Sequence, residues 1–316
     1  MPETASNLAF IIGHYKAGST WLLNMLSLHP DVRGLRETHA FHHVRKSPDA
    51  STCTERLFTG VPFSQGGPGK LVQHQLTQAF APILKRWKPP LSLRRHDRPA
   101  GLLDLPAGTR RRLAKELPAL PLGNDYLRHF FGELWQGFGE PGCLLEKTPR
   151  NIGFLADVRE AFPEAKLLAV YRDGRDVAVS SRAFRSEYKG SREKTLASEA
   201  TAWRDAMQVH LEAVESGDLI SVAYEQLQVD PQQALALVLD AMGLAADDAL
   251  VAHMVSHSSF EFRTGRARGE EAKGRFDRKG VAGDWVNHFD ADDKAIFKEI
   301  AGELLVRLGY ERDHSW

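Results

Sequence analysis

Residues 8–26 read LAFIIGHYKAGSTWLLNML: an apolar run, Leu8 to Ile12, breaks at Gly13, and apolar residues resume at Trp21 with helical spacing. A run with no polar alternation is expected of a parallel strand covered on both faces. Gly13 and Gly18 bracket a loop whose backbone N–H groups can turn inward onto an anion, and Ser19 and Thr20 add hydroxyl donors where the next helix starts. Trp21, Leu22, Met25 and Leu26 then form the face that packs this helix on the sheet. The order is strand, phosphate loop, helix, and it sets the fold class as α/β.

In the nucleotide-triphosphatase form of such a loop, G-x-x-x-x-G-K-[ST], a lysine directly after the second glycine reaches the β- and γ-phosphates and the next hydroxyl binds magnesium. Here Ser19 holds the lysine position and Lys16 lies inside the loop. A cation at the loop's crown suits one phosphate and its leaving group. The string Gly13-His14-Tyr15-Lys16-Ala17-Gly18-Ser19-Thr20-Trp21 resembles the 5′-phosphosulfate loop of sulfotransferases that use 3′-phosphoadenosine-5′-phosphosulfate (PAPS). The resemblance implies that Lys16, Ala17, Gly18, Ser19, Thr20 and Trp21 hold the 5′ end of PAPS.

The chain has 316 residues, 42% of them hydrophobic, enough for a substantial core, and one α/β domain of this size is ordinary. Its 41 basic and 41 acidic residues balance, which gives no indication of bulk attraction to nucleic acid or to an anionic membrane. The N-terminal MPETASN has no basic region leading into a long apolar stretch. No run approaches the roughly 20 apolar residues of a membrane span, so a soluble, cytoplasmic protein is expected. Cys53 and Cys143 are too few for a disulfide framework or a zinc site and read as free thiols. Oligomeric state is not legible.

After the first helix, Glu37, His39, His42 and His43 form a polar cluster. Its composition could serve a metal, but neighbours such as His42 and His43 point apart in regular structure, and transfer of an activated sulfate needs no Lewis acid. A solvated polar turn is the commoner reading, and no metal is expected. In Golgi-type sulfotransferases a similar H-P-[DE]-V stretch leads to a glutamate that acts as base. His29-Pro30-Asp31-Val32 leads to Glu37 in the same way. The resemblance therefore makes Glu37 the first candidate for general base and His39 the second.

Residues 45–125 carry few periodic patches. Between Lys85 and Arg112 the basic residues Lys85, Arg86, Lys88, Arg94, Arg95, Arg98, Arg110, Arg111 and Arg112 stand against only Asp97 and Asp104. This stretch reads as a solvated charged surface or as a substrate-covering insertion that favours an acidic or phosphate-bearing acceptor. Tyr126 to Phe138 has a helical apolar face. A short strand, Cys143 to Leu145, then leads to Lys147, placed where open α/β sheets bind ligands. Lys147 resembles the family's second active-site lysine, which contacts the sulfuryl group. Cytosolic members place a histidine base two residues later, whereas this chain has Pro149, which cannot accept a proton.

A second buried strand, Ala165 to Tyr171, ends at Arg172, and Ser180 follows eight residues on in a helix, so both can reach one anion. This stretch resembles the family's 3′-phosphate motif. Glu193 to Glu215 is an amphipathic helix, Leu219 to Tyr224 a further strand, and Pro231 to Met242 a helix opened by proline. Tyr224 sits near the adenine by resemblance, or else caps the sheet. Ser259 to Arg278 is polar and glycine-bearing, so a mobile loop is expected before the last helix, Asp292 to Leu308. Between them, Arg278-Lys279-Gly280-Val281-Ala282-Gly283-Asp284-Trp285 is similar to a cytosolic sulfotransferase signature in which Arg278, Lys279 and Gly280 would close over the 3′-phosphate.

The expectation is one α/β domain over residues 1–316, a parallel sheet of about five strands flanked by helices, in the P-loop-like sulfotransferase fold, with an insertion around 45–125. Its function would be sulfuryl transfer from PAPS to a hydroxyl of a small-molecule, lipid, carbohydrate or carrier-bound acceptor. Rival readings are a P-loop kinase or nucleotide hydrolase, which the missing Walker lysine opposes, and a PAPS-binding module without catalysis.

Overall fold

Leu8, Phe10 and Ile12 of the first strand, β1 (Leu8–Ile12), enter one apolar layer, and Ala9 and Ile11 enter the opposite one. Burial on both faces is why this run has no polar alternation. The computed structural model describes residues 7–59, 98–186, 195–272 and 277–316. Among them β1 is the middle of a five-stranded parallel sheet with β2 (Val32–Leu35), β3 (Cys143–Lys147), β4 (Lys166–Tyr171) and β5 (Ile220–Ala223), in the order β2-β3-β1-β4-β5. Ile11 lies opposite both Lys147 and Leu168, and Leu35 opposite Glu146, so the strands' carboxyl ends come level along one edge.

One face of the sheet is covered by an aromatic layer from the helices Ala40–Lys46 and Asn124–Gly137. Phe10 meets Phe131 edge to face at 5.3 Å and Phe41 at 5.7 Å. Each fully buried ring of this kind contributes about 1.5–3 kcal/mol relative to exposure. The other face is covered by the helix Ser19–Leu26 with Pro231–Met242 and Asp248–Ser258. A third cluster, around Trp203 and Phe297, joins the helices Leu196–Glu215 and Ala291–Arg307.

The structure departs from the sequence reading at four places. β2 was not legible, because VRGL has no apolar run and contains a glycine; a Cβ at Gly34 would lie 2.0 Å from Ser27 Oγ of the first helical turn's exit. The expected polar turn after Glu37 is a helix, Ala40–Lys46, whose His42 and His43 are buried in the core rather than solvated. β5 ends at Ala223, and Tyr224 opens a short helix, Tyr224–Val229. The segment expected to be loop from Ser259 onward begins with a helix, Phe260–Thr264. Of the basic residues noted above, Lys85, Arg86, Lys88, Arg94 and Arg95 lie outside the described residues. No helix of the described residues is long and apolar enough to cross a membrane.

Candidate active site

The chain leaves β1 towards β2 and β3 on one side and later returns to β4 and β5 on the other. The loop after β1 therefore lies where the two halves diverge, the position at which open α/β sheets hold ligands. Its path needs left-handed backbone at Gly13 (φ 131°), Lys16 (φ 65°) and Gly18 (φ 107°). Glycine meets this freely, whereas Lys16 is a lysine held in a sparsely populated conformation. Three contacts fix the loop. Gly13 N–H donates to the Pro149 carbonyl (2.9 Å), Gly18 C=O accepts from Trp21 N–H (2.8 Å), and the Tyr15 hydroxyl donates to the buried Glu199 (2.6 Å).

The loop forms one wall of a pocket. Lys16, Gly18, Ser19, Thr20 and Trp21 line it with Arg172, Ser180, Tyr224, Arg278, Lys279 and Gly280, all candidates from sequence. Ala17, buried at 1% exposure, does not line it. Gln228, Ser258, Phe260, Arg263, Arg268, Asp277 and Val281 complete the lining and were not singled out from sequence. Six cations, Lys16, Arg172, Arg263, Arg268, Arg278 and Lys279, thus face one carboxylate, Asp277, across the pocket. Such a site attracts an anion with more than one charge.

Each cation is aimed by its own contacts. Arg172 donates to Asp176 (3.1 Å) and to the Val281 carbonyl (2.8 Å), and its guanidinium lies 4.4 Å from the Tyr224 ring centroid. Asp176 is fully buried and also accepts from the N–H groups of Gly283 (2.7 Å) and Trp285 (2.9 Å), so one carboxylate joins the turn after β4 to the Arg278–Trp285 loop. Arg278 and Lys279 both hold Asp284, at 2.6 and 2.7 Å. These contacts keep the Asp284 carboxyl well below the usual range although burial alone would raise it. For Lys16 it is the charged form that is disfavoured: burial foremost, then Arg172 and Arg278, lower its ammonium to about 8 against the opposing pull of Asp277. Trp21 and Tyr224 meet edge to face at 5.8 Å, and with Phe260 they give the pocket an aromatic end.

Glu37, His39 and Lys147 do not line this pocket but form a second cluster at the same sheet edge. Lys147 donates to Glu37 Oε1, and His39 Nε2 lies 3.3 Å from Glu37 Oε2. Burial by itself would raise the Glu37 carboxyl; the His39 hydrogen bond with the charge and hydrogen bond of Lys147 outweighs that and holds it at about 2. The cluster rests on Glu146, a fully buried carboxylate that accepts from Thr38 N–H (2.9 Å), Thr38 Oγ1 (3.0 Å) and Thr148 Oγ1. His39 sits at φ 53° with its N–H on Thr148 Oγ1 (3.3 Å). His42 and His43 turn into the core, where burial first and nearby cations and imidazoles second lower each to about 4.

The family model described as Sulfotransferase family matches residues 9–248. Sulfotransferase 1B1 of Mus musculus is 26% identical over 221 residues, 61% of this chain and 72% of that protein. Sulfotransferase 2B1 of Rattus norvegicus is 24% identical over 166 residues, and the match spans 46% of this chain and about half, 49%, of that protein. Among solved structures, mouse sulfotransferase SULT7A1 complexed with PAP superposes with a TM-score of 0.52 at 16% identity, over 95% of this chain and 85% of that one, a likeness of fold. With three quarters of its length inside the family match, and with the phosphate loop, the five-stranded sheet and the cationic pocket described above, this chain belongs to the sulfotransferase family.

Proposed function

We propose that this enzyme transfers the sulfuryl group of PAPS to the hydroxyl of a small-molecule, lipid, carbohydrate or carrier-bound acceptor. The observation that carries this is one pocket into which Lys16, Gly18–Trp21, Arg172, Ser180, Tyr224 and Arg278–Gly280 converge from distant parts of the sequence. A likeness to a structure complexed with PAP, the desulfated product, supports the same donor. Lys16, Ser19 and Thr20 would meet the 5′-phosphate; Arg172, Ser180 and Arg278 would meet the 3′-phosphate; Trp21, Tyr224 and Phe260 would offer faces to the adenine.

In the reaction the acceptor oxygen forms a bond to sulfur while the bond from sulfur to the 5′-phosphate oxygen breaks. Lys16 stabilises the negative charge left on that phosphate, and Lys147 the sulfuryl oxygens. Glu37 takes the acceptor's proton. While Lys147 is bound to it, a carboxyl held at about 2 is a weak base, so the lysine's move towards the sulfuryl group is what readies Glu37. The 3.3 Å separation of His39 and Glu37 supports a second reading, in which His39 takes the proton and Glu37 orients it. The test of the function is mass-spectrometric detection of sulfated products from acceptor extracts supplied with isotopically labelled PAPS. Magnesium-dependent ATP hydrolysis without sulfate transfer would instead make the protein a nucleotide hydrolase.

A further inference from the structure

Arg36 is the last residue before Glu37 and follows directly on β2, at the carboxyl edge that also carries Lys147. Its backbone N–H is tied to the Ala100 carbonyl at 2.8 Å, and Ala100 N–H returns to Gly34 C=O at 2.7 Å, which brings the segment holding Arg98 alongside. The neighbouring cations have carboxylates: Lys147 has Glu37, Arg98 has Asp104 at 3.6 Å, and Arg263 has Asp277 at 3.0 Å. The Arg36 guanidinium has neither a hydrogen bond nor an ion pair to any described residue. The residue is exposed at the surface, and its partial desolvation, then the charges of Arg98 and Arg263, depress its pKa against the pull of Asp104. An exposed arginine with Arg98 and Arg263 as like-charged neighbours and no partner among the described residues, one residue from the candidate base, is open to an anion that arrives with the acceptor.

We propose that Arg36, with Arg98 beside it, is a subsite for an anionic group on the acceptor, a carboxylate, phosphate or sulfate carried near the hydroxyl that Glu37 addresses. This rests on the sulfuryl-transfer reading and narrows its acceptor class. Arg36 does not line the donor pocket, so the anion it receives is not one of the donor's phosphates. A guanidinium presents a planar fork that fits two oxygens at once, so Lys at this position would do the task less well.

The test uses labelled PAPS and pairs of hydroxyl compounds that differ only in charge, such as 4-hydroxyphenylacetate with 4-hydroxyphenylacetamide and 3-hydroxybutyrate with 3-hydroxybutyramide. A charge-assisted hydrogen bond contributes about 1.5–3 kcal/mol, so kcat/KM should favour the anionic member by roughly tenfold or more. Arg36→Gln should bring that ratio close to one, Arg36→Lys should keep part of it, and added salt should shrink it in the parent enzyme. Sulfation confined to neutral members, equal rates within pairs, no anionic member accepting, or a ratio untouched by Arg36→Gln would overturn the proposal. A rise in the KM for PAPS in Arg36→Gln with the ratio preserved would also overturn it, by moving Arg36 to the donor. Calorimetric titration of PAPS runs in parallel: absence of donor binding would defeat the sulfotransferase reading itself, a result distinct from each of these.

Discussion

Glu37 stands between two nitrogen bases, Lys147 and His39, and its carboxyl is ionised across the whole neutral range. Its folded value of about 2 lies below the ordinary 4.5, so the ion pair contributes stability in full above 4.5 and loses it as pH falls towards 2. Activity that depends on ionised Glu37 should therefore show no acid limb from this group at neutral pH. A positioned base contributes about 10² to 10⁴-fold, so Glu37→Gln should lower kcat by that factor with little change in PAPS affinity. If Glu37→Gln keeps near-normal turnover while His39→Asn abolishes it, His39 is the base. Lys16 gives the opposite pH signature. Burial brings its ammonium down to about 8, and a bound anion must raise it again. Donor binding then takes up a proton above pH 8, and affinity falls with rising pH by up to about tenfold per unit until the bound-state value is reached. Calorimetry at pH 8.5 in two buffers of different ionisation heat should show that uptake in the parent protein and none in Lys16→Met.

The phosphate loop and the Arg278–Trp285 loop work only as well as the elements behind them. A Cβ at Gly18 would lie 2.6 Å from the Tyr224 ring, on a backbone at φ 107°. Gly18→Ala should thus both strain the loop, at about 1–3 kcal/mol, and push Tyr224 aside, weakening PAPS binding in a thermal titration. Asp176→Asn keeps shape but removes the charge that holds Arg172, so the KM for PAPS should rise about 10-fold or more while kcat moves less. Equal losses in both constants would mark a general folding defect. The legibility of the chain follows the same division. β1, β3 and β4 were readable because each carries a buried apolar run, β5 because Ile220, Val222 and Ala223 leave only Ser221 polar, and β2 was not because Arg33 and Gly34 interrupt it. Loop residues such as Lys16, Ser19 and Arg172 were readable because the motifs they resemble have a fixed local spacing, and all three line the pocket. Ser258, Phe260, Arg263 and Arg268 reach the pocket only because the chain after β5 folds back over it, and no local pattern encodes that return. The support of Glu146 under Glu37 was equally hidden, since its partners Thr38 and Thr148 lie on different strands' exits.

At the scale of the whole molecule, the pocket is a meeting point of four segments distant in sequence: the exit of β1, the exit of β4, the helix Tyr224–Val229, and residues from Ser258 onward to Val281. A ligand with a phosphate at each end would bridge them and neutralise charges that now repel across the opening. Binding to the folded state alone stabilises it by about 2.7 kcal/mol at a hundredfold excess over Kd. For a protein of this size each kcal/mol shifts the midpoint by roughly 2–4 °C, so saturating adenosine 3′,5′-bisphosphate should raise Tm by about 5–10 °C. Adenosine 5′-phosphosulfate has no 3′-phosphate and leaves Arg172, Ser180 and Arg278 unused, so its shift should be smaller and its Kd weaker. Arg172→Gln should narrow the gap between the two ligands by lowering the larger affinity, with the weaker one nearly unmoved. Equal dissociation constants for PAPS and adenosine 5′-phosphosulfate in the parent protein would show that the pocket reads only the 5′ end, and the roles proposed for Arg172, Ser180 and Arg278 would then fall together.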